Sequence, residues 1–406
     1  MGVAWVGMEL FTVRPAGDAM ITTIWTGASS WTLTALPLFI WMGEILYRTR
    51  LSQDMFKGLA PWMSWLPGGL LHTNIAGCTI FAAVSGSSAA TLTTVGKMSI
   101  PELRARNYPE HMIIGTLAGA ATLGLMIPPS LTLIVYGVTI NESITKLFMA
   151  GILPGLLLTT LFIMAIWIVV YRAPHKAPQS SDLVPIAQRM KSLSRAGWII
   201  GIVFLTIGGI YTGIFSAVEA AGIGTFLALI VTVMRGAVTW KNIQDVFSST
   251  LKACGTLFLI LFGAFVFKTF VGFTGVTFSI AEWVESQGFS GLQIVIAFLV
   301  MFIVLGTFLE GFAILVLTVP IIQPIIEPLG INMIWFGVLM VICLEMGLIS
   351  PPVGVNVFVV KGISDGVSLN TIFRGIWPFW LAMLICVVII VLFPQIALIL
   401  PNTMYH

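Results

Sequence analysis

Eight stretches of this chain are apolar over a length that can cross a bilayer. They fall near 20–47, 110–138, 147–171, 197–215, 216–234, 251–272, 332–360 and 376–400. About 20 apolar residues suffice for a helix to span the hydrocarbon. Only helices and closed barrels satisfy their backbone there, so most folds are excluded at once. Composition agrees, with 58% hydrophobic and 9% charged residues, against about 25% charged in soluble domains. The chain reads as an all-α polytopic membrane protein, one membrane body of 406 residues. Residues 2–13 are apolar but too short to span. The net charge of +3 and the lack of a long basic run argue against nucleic acid as a partner. Cys78, Cys254, Cys343 and Cys386 lie far apart inside apolar stretches, which suits buried thiols. His72, His111, His175 and His406 form no HExxH pattern, so neither a zinc centre nor a cofactor is expected.

Two further apolar stretches, 62–96 and 291–328, are interrupted midway. The first breaks at Ser85-Gly86-Ser87-Ser88, the second at Gly306-Thr307 and Glu310-Gly311. Each has room for two short helices and a tight tip, the pattern of a re-entrant hairpin. Charge tests that reading. If both stretches enter and leave on one side, 16 of the 19 basic residues fall on a single face of the membrane, leaving Arg14, Lys146 and Lys268. The positive-inside rule makes the crowded face cytoplasmic. Counting either hairpin as a full span scrambles the pattern. The first hairpin therefore opens from the cytoplasm and the second from outside.

Residues 172–197 hold Pro174, Pro178, Pro185 and five basic residues, and read as a cytoplasmic linker with a short surface helix near 183–195. It divides the chain into residues 1–171 and 198–406. The halves repeat. Gly124-Leu125-Met126-Ile127-Pro128-Pro129 returns as Gly347-Leu348-Ile349-Ser350-Pro351-Pro352, and FMAGILP from Phe148 returns as FRGIWP from Phe373. Thr94-Val95 and Thr318-Val319 keep the register. With hairpins opening to opposite faces, this is an inverted-topology repeat, the build of many secondary transporters.

Paired prolines within a span remove two donors and break the helix. Broken backbone inside a bilayer persists only in protein or beside a wet cavity, and half-helix ends there hold ions. Pro128-Pro129 and Pro351-Pro352 thus predict broken helices over 110–138 and 332–360. The tips and breaks are expected to converge on one sodium site per half with substrate between them. Candidates at the tips are Ser85, Gly86, Ser87, Ser88, Gly306, Thr307 and Glu310. Candidates at the breaks are Pro128, Pro129, Pro351, Pro352 and Asn356. Serine and glycine also pack membrane helices, and Pro kinks are common, so one motif alone would say little; four in symmetric positions favour a site. Glu310 is read as neutralising a cation or capping a helix. Glu345 lies just before the second break. Lys268 is read as snorkelling, and Trp62, Trp65, Trp283, Trp377 and Trp380 as interfacial anchors.

SGSSAATLTTVGKMSIPEL at Ser85–Leu103, LGLMIPPSLTLIVYG at Leu123–Gly137, FLEGFAILVLTVPIIQPII at Phe308–Ile326 and GLISPPVGVNVFVVKGI at Gly347–Ile363 resemble the large membrane subunit of tripartite ATP-independent periplasmic (TRAP) transporters. The resemblance covers nearly the whole chain. It implies a sodium-driven importer of small organic acids in a bacterial inner membrane, working by an elevator movement. It implies two partners, a small four-helix membrane subunit and a periplasmic binding protein. It also implies ion ligands from Ser85 to Ser88, from the turn Ile127–Ser130 and from the turn Ser350–Asn356, which adds Ile127, Ser130, Ser350 and Gly354 to the candidates at the breaks. Two departures stand out: the family usually opens on a full membrane-spanning helix, and its second tip usually carries Asp where this chain has Glu310. The alternative is a stand-alone sodium or proton symporter. Divalent-anion symporters of that kind show Ser-Asn-Thr motifs at tips and breaks, and these are absent. An intramembrane enzyme needs a nucleophile–base pair or metal cluster, and neither is found. A channel fits sealed hairpin tips poorly.

Overall fold

The computed structural model describes residues 1–13, 15–49, 51–172, 185–236 and 238–404. The linker residues 173–184, including Pro174, Lys176 and Pro178, lie outside the described residues, as do Arg14, Arg50 and His406. The described elements are all helical. Among the described residues, six helices are long and apolar enough to cross a membrane, and seven when the bent pair Ile186–Ser194 and Ala196–Tyr211 counts as one.

The two interrupted stretches fold as helix–tip–helix units. Hairpin 1 is Leu71–Ser85 followed by Ser88–Ala105, and hairpin 2 is Gly291–Gly306 followed by Gly311–Ile326. Their first arms have 15 and 16 residues, about 22–24 Å at 1.5 Å per residue, short of a ~30 Å hydrocarbon core. Hairpin 1 starts later than residue 62 because Pro67-Gly68-Gly69 forms a turn, with φ of +102° and +52° at the glycines. Residues 51–63 form a separate helix.

Both paired prolines break their helices. Glu110–Ala121 and Leu123–Met126 stop before Ile127, and the chain resumes as Leu131–Ile140, capped by the Ser130 hydroxyl accepting from Leu133 N at 3.2 Å. Met333–Leu348 stops before Ile349 and resumes as Val355–Ile363. Both Pro-Pro bonds are cis. The core sits on the first segments of these helices: every residue from Met112 to Met126 and from Ile334 to Leu348 is buried. Hairpin 2 crosses the second of them tightly, since a Cβ on Gly347 would lie 2.5 Å from the Gly306 Cα. Glycine pairs let membrane helices approach this closely.

An outer layer packs around this core. Ala35–Arg48, Leu51–Met63, Ile186–Tyr211, Ala217–Met234 and the 35-residue helix Trp240–Thr274 contact one another. Trp62 donates to the Arg189 carbonyl at 2.9 Å and Ser192 to the Gly58 carbonyl at 3.0 Å, which pins the helix following the linker.

Three expectations change. The stretch 20–47 is two helices, Ala16–Ala28 and Ala35–Arg48, joined through a 3₁₀ turn at Trp31–Thr34, because Ser29-Ser30 interrupts the helix within an otherwise apolar run. The final stretch ends at Leu392 and restarts at Gln395, after Pro394. Lys268 does not snorkel: its ammonium donates to the Thr139 carbonyl at 2.6 Å, near the C-terminus of Leu131–Ile140. A cation there meets the negative end of the helix dipole. Lys268→Met should therefore lower the thermal stability of the purified protein by about 1–2 kcal/mol, read as a drop in Tm; an unchanged Tm would show the contact to be idle.

Candidate functional site

Gly86 ends the first arm of hairpin 1 in the left-handed region, φ +59°, with its N–H bonded to the Ala82 carbonyl at 3.1 Å. Ser87 then caps the second arm by accepting from Ala90 N at 3.4 Å. Ser85 is held inside the tip, 2.8 Å from the Thr91 hydroxyl. This tip sits on the first helix break: a Cβ on Gly86 would lie 2.7 Å from the Pro129 carbonyl oxygen. Of the first break, Pro129 touches tip 1, while Ile127 and Pro128 pack against Gly155 and Gly151 of the helix Ile144–Arg172. Ser130 is fully buried and donates its hydroxyl to the Leu125 carbonyl.

Hairpin 2 meets the second break in the same manner. Gly354, at φ +64°, donates its N–H to the Thr307 carbonyl at 3.0 Å. The Thr307 hydroxyl bonds the Val304 carbonyl at 2.7 Å. Glu310 caps the second arm, its carboxylate accepting from Phe312 N at 2.9 Å, and it lines the open space beside the tip. Of the two readings of Glu310, the cap is realised, with the Phe312 and Ala313 amides both facing the carboxylate.

A buried contact ties tip 1 to the second break. Asn356, just past the second break, donates from Nδ2 to the Ser88 hydroxyl of tip 1 at 2.5 Å, and both residues are buried. Asparagine and serine carry acceptors as well as donors, so this pair leaves oxygen lone pairs beside two helix ends.

A cavity of about 700 Å3 opens between the tips. Ser85, Gly86 and Ser87 line it from hairpin 1, Glu310 and Phe312 from hairpin 2, and Leu125, Leu131 and Thr132 from the flanks of the first break. The outer layer closes the far wall with Gly43, Glu44, Tyr47, Lys252 and Thr256. Ser88, Gly306, Thr307, Ser350, Gly354 and Asn356 are buried behind this lining, and Pro351 and Pro352 are exposed away from it. The structure therefore brings both tips and the flanks of the first break to one cavity, leaves Ile127, Pro128, Pro129 and Ser130 outside its lining, and attaches the second break to the tips from behind.

Some contributors are not legible as such in the sequence. Trp380 is no interfacial anchor: its indole donates to the Ser350 hydroxyl at 2.8 Å, while that hydroxyl donates to the Met346 carbonyl at 2.6 Å. Trp377 stacks on it at a ring separation of 5.3 Å. Trp380→Phe should destabilise the second break by about 1 kcal/mol and slow uptake; wild-type uptake would show that Ser350 needs no such support. Glu44 lines the cavity and pairs with Arg48 at 3.3 Å, whereas Glu219 only completes a capping box with Ser216. Glu345 is fully buried. The Leu125 amide lies close by, yet neither carboxylate oxygen meets hydrogen-bond geometry among the described residues. All four cysteines are free and buried.

Known proteins share this organisation. A likeness to the solved YdaH transporter of Alcanivorax borkumensis covers 94% of this chain and 86% of that one, with a TM-score of 0.64 at 15% identity, which speaks to the fold alone. The C4-dicarboxylate TRAP transporter large permease protein DctM of Rhodobacter capsulatus is 29% identical, over 97% of this chain and 92% of its own. The sialic acid TRAP transporter large permease protein SiaM of Vibrio cholerae is 29% identical, over 93% and 87%. The family model described as tripartite ATP-independent periplasmic transporter, DctM component, matches residues 2–396. The chain is a multi-pass membrane protein that belongs to the DctM family, the large permease subunits of TRAP transporters.

Proposed function

We propose that this subunit imports a small organic acid, a carboxylate, in symport with sodium and by an elevator movement. The observation that carries the reading is the convergence of both hairpin tips and the flanks of the first helix break on one cavity, with the second break bonded to both tips. Half-helix ends at such a point supply carbonyl oxygens for a cation and amides for an anion. Ser85–Ser88 with Ile127–Ser130 would serve one sodium site, and Gly306, Thr307 and Glu310 with Ser350–Asn356 the other. The division into a shared buried core and an outer layer supports the elevator, because hairpins and broken helices can travel together against the outer helices. The cavity reaches toward Tyr47 and Lys252, on the side crowded with basic residues, so the open side faces the cytoplasm. A tripartite periplasmic family supports delivery by a periplasmic binding protein, the C4-dicarboxylate and sialic acid named for two relatives support the carboxylate, and we propose a small four-helix partner and a bacterial inner membrane to complete the system.

Glu345 favours a second reading, coupling to protons. An isolated charge deep in a membrane protein is costly, so this buried acid is a place for a proton or a cation. Uptake separates the readings. Both membrane subunits are reconstituted in liposomes and offered labelled succinate or N-acetylneuraminate, with and without the binding protein and a sodium gradient. Uptake that needs sodium and the binding protein is expected. Uptake with sodium alone would contradict the tripartite reading, and a response to a pH gradient alone would move coupling to Glu345.

A further inference from the structure

Three ionisable acid or ammonium side chains reach the cavity between the tips: Glu44, Glu310 and Lys252. Two of them are engaged. Glu44 is paired with Arg48 at 3.3 Å, and the Glu310 carboxylate accepts from Phe312 N at 2.9 Å. Lys252 is exposed to the cavity and has no hydrogen-bond or ion-pair partner among the described residues.

Its place in the sequence makes this notable. Lys252 stands at the start of the apolar run that begins at Leu251 on the helix Trp240–Thr274, on the face crowded with basic residues. An exposed ammonium on the wall of an open cavity raises the local concentration of anions there. The other lysine in that run, Lys268, has a partner in the Thr139 carbonyl. The two are 16 residues apart, about 24 Å along the axis, so they stand at opposite ends of the apolar run. One holds structure together, and the other faces open space.

The surroundings suit an anion. Thr256, one turn beyond Lys252 and also on the cavity wall, donates its hydroxyl to the Lys252 carbonyl at 3.0 Å. The ammonium is therefore the donor this stretch of helix offers to the cavity. Tip 1, with Ser85 and Ser87, lines the same space.

We propose that Lys252 is a substrate-contacting residue, its ammonium receiving the carboxylate of the transported anion in this open state. The inference rests on the organic-acid reading above and adds a recognition group from the outer layer. In an elevator the tips travel and the outer layer stays, so Lys252 meets the anion only while the cavity is open on this side.

Exchange across proteoliposomes tests it, with both membrane subunits present and succinate and N-acetylneuraminate as probes in turn. The half-saturating concentration is measured from the side on which the cavity opens. Lys252→Gln should raise it by about tenfold or more, the loss expected for a charge-assisted hydrogen bond, with the maximal exchange rate nearly unchanged. Lys252→Arg should restore most of the affinity. A wild-type half-saturation in Lys252→Gln would overturn the assignment and leave the organic-acid reading standing. Equal losses in Lys252→Gln and Lys252→Arg would overturn it too, by showing that shape rather than charge is read. Exchange of neither probe by the wild-type protein would bring down the organic-acid reading, and this inference with it.

Discussion

Gly86→Val should all but abolish uptake while leaving the protein in the membrane. Gly86 occupies the left-handed region, at φ +59° and ψ 13°, where an ordinary residue costs about 1–2 kcal/mol and a β-branched one fits worst. The added Cβ would also lie 2.7 Å from the Pro129 carbonyl oxygen and 3.1 Å from the Leu131 side chain. The first of these contacts is with backbone, which cannot swing aside. Tip 1 must lift from the first break, and the cavity wall formed by Ser85 to Ser87 moves with it. The strain is local to the tip, so the arms of hairpin 1 should still insert. Uptake per inserted protein should fall by at least about tenfold, since misplacement of about 1 Å is enough to disable a positioned site. Gly86→Ala should fall between the two. Wild-type uptake by Gly86→Val would show that tip and break need not touch.

The second large effect is expected from Asn356→Ala. Its bond to Ser88, at 2.5 Å, joins residues 268 positions apart and is buried at both ends. Removing one partner leaves the other unsatisfied, at about 1–3 kcal/mol. Ser88→Ala should cost a similar amount, and the double variant less than the sum, with an interaction energy of about 1 kcal/mol or more. Sodium half-saturation should rise in each variant, because tip 1 and the second break lose their registration. Strictly additive losses would mean that the contact carries no coupling between the halves.

The general plan was legible because its punctuation is chemical. Ser85–Ser88 and Gly306–Glu310 interrupt apolar runs with residues that end helices, and Pro128-Pro129 and Pro351-Pro352 cannot continue one. Those signals are local, and each produced a break where expected. The stretch 20–47 failed because hydropathy averages over its interruption: Ser29 and Ser30 are two small residues in a long apolar run, yet the chain turns there. The long helix starts at Trp240 rather than near 251 because its first turns are amphipathic, with Lys241, Gln244 and Asp245 among apolar residues. Trp380 and Lys268 have meaning only through partners 30 and 129 residues away. Nothing in their neighbourhoods names Ser350 or Thr139. The separation of the second break from the cavity lining was equally out of reach, since it depends on which half of a pseudo-symmetric pair faces the open side.

Sodium sites at the tips and breaks, as proposed, should stabilise the folded protein when they are filled. The most direct test is the thermal stability of the purified subunit, titrated with NaCl against KCl at constant ionic strength. A ligand that binds only the folded state raises stability by RT ln(1 + [L]/Kd). Tm should rise with sodium and not with potassium, and less so in Ser87→Ala and in Asn356→Ala. A Tm that responds equally to both cations, or a full sodium response in both variants, would contradict it.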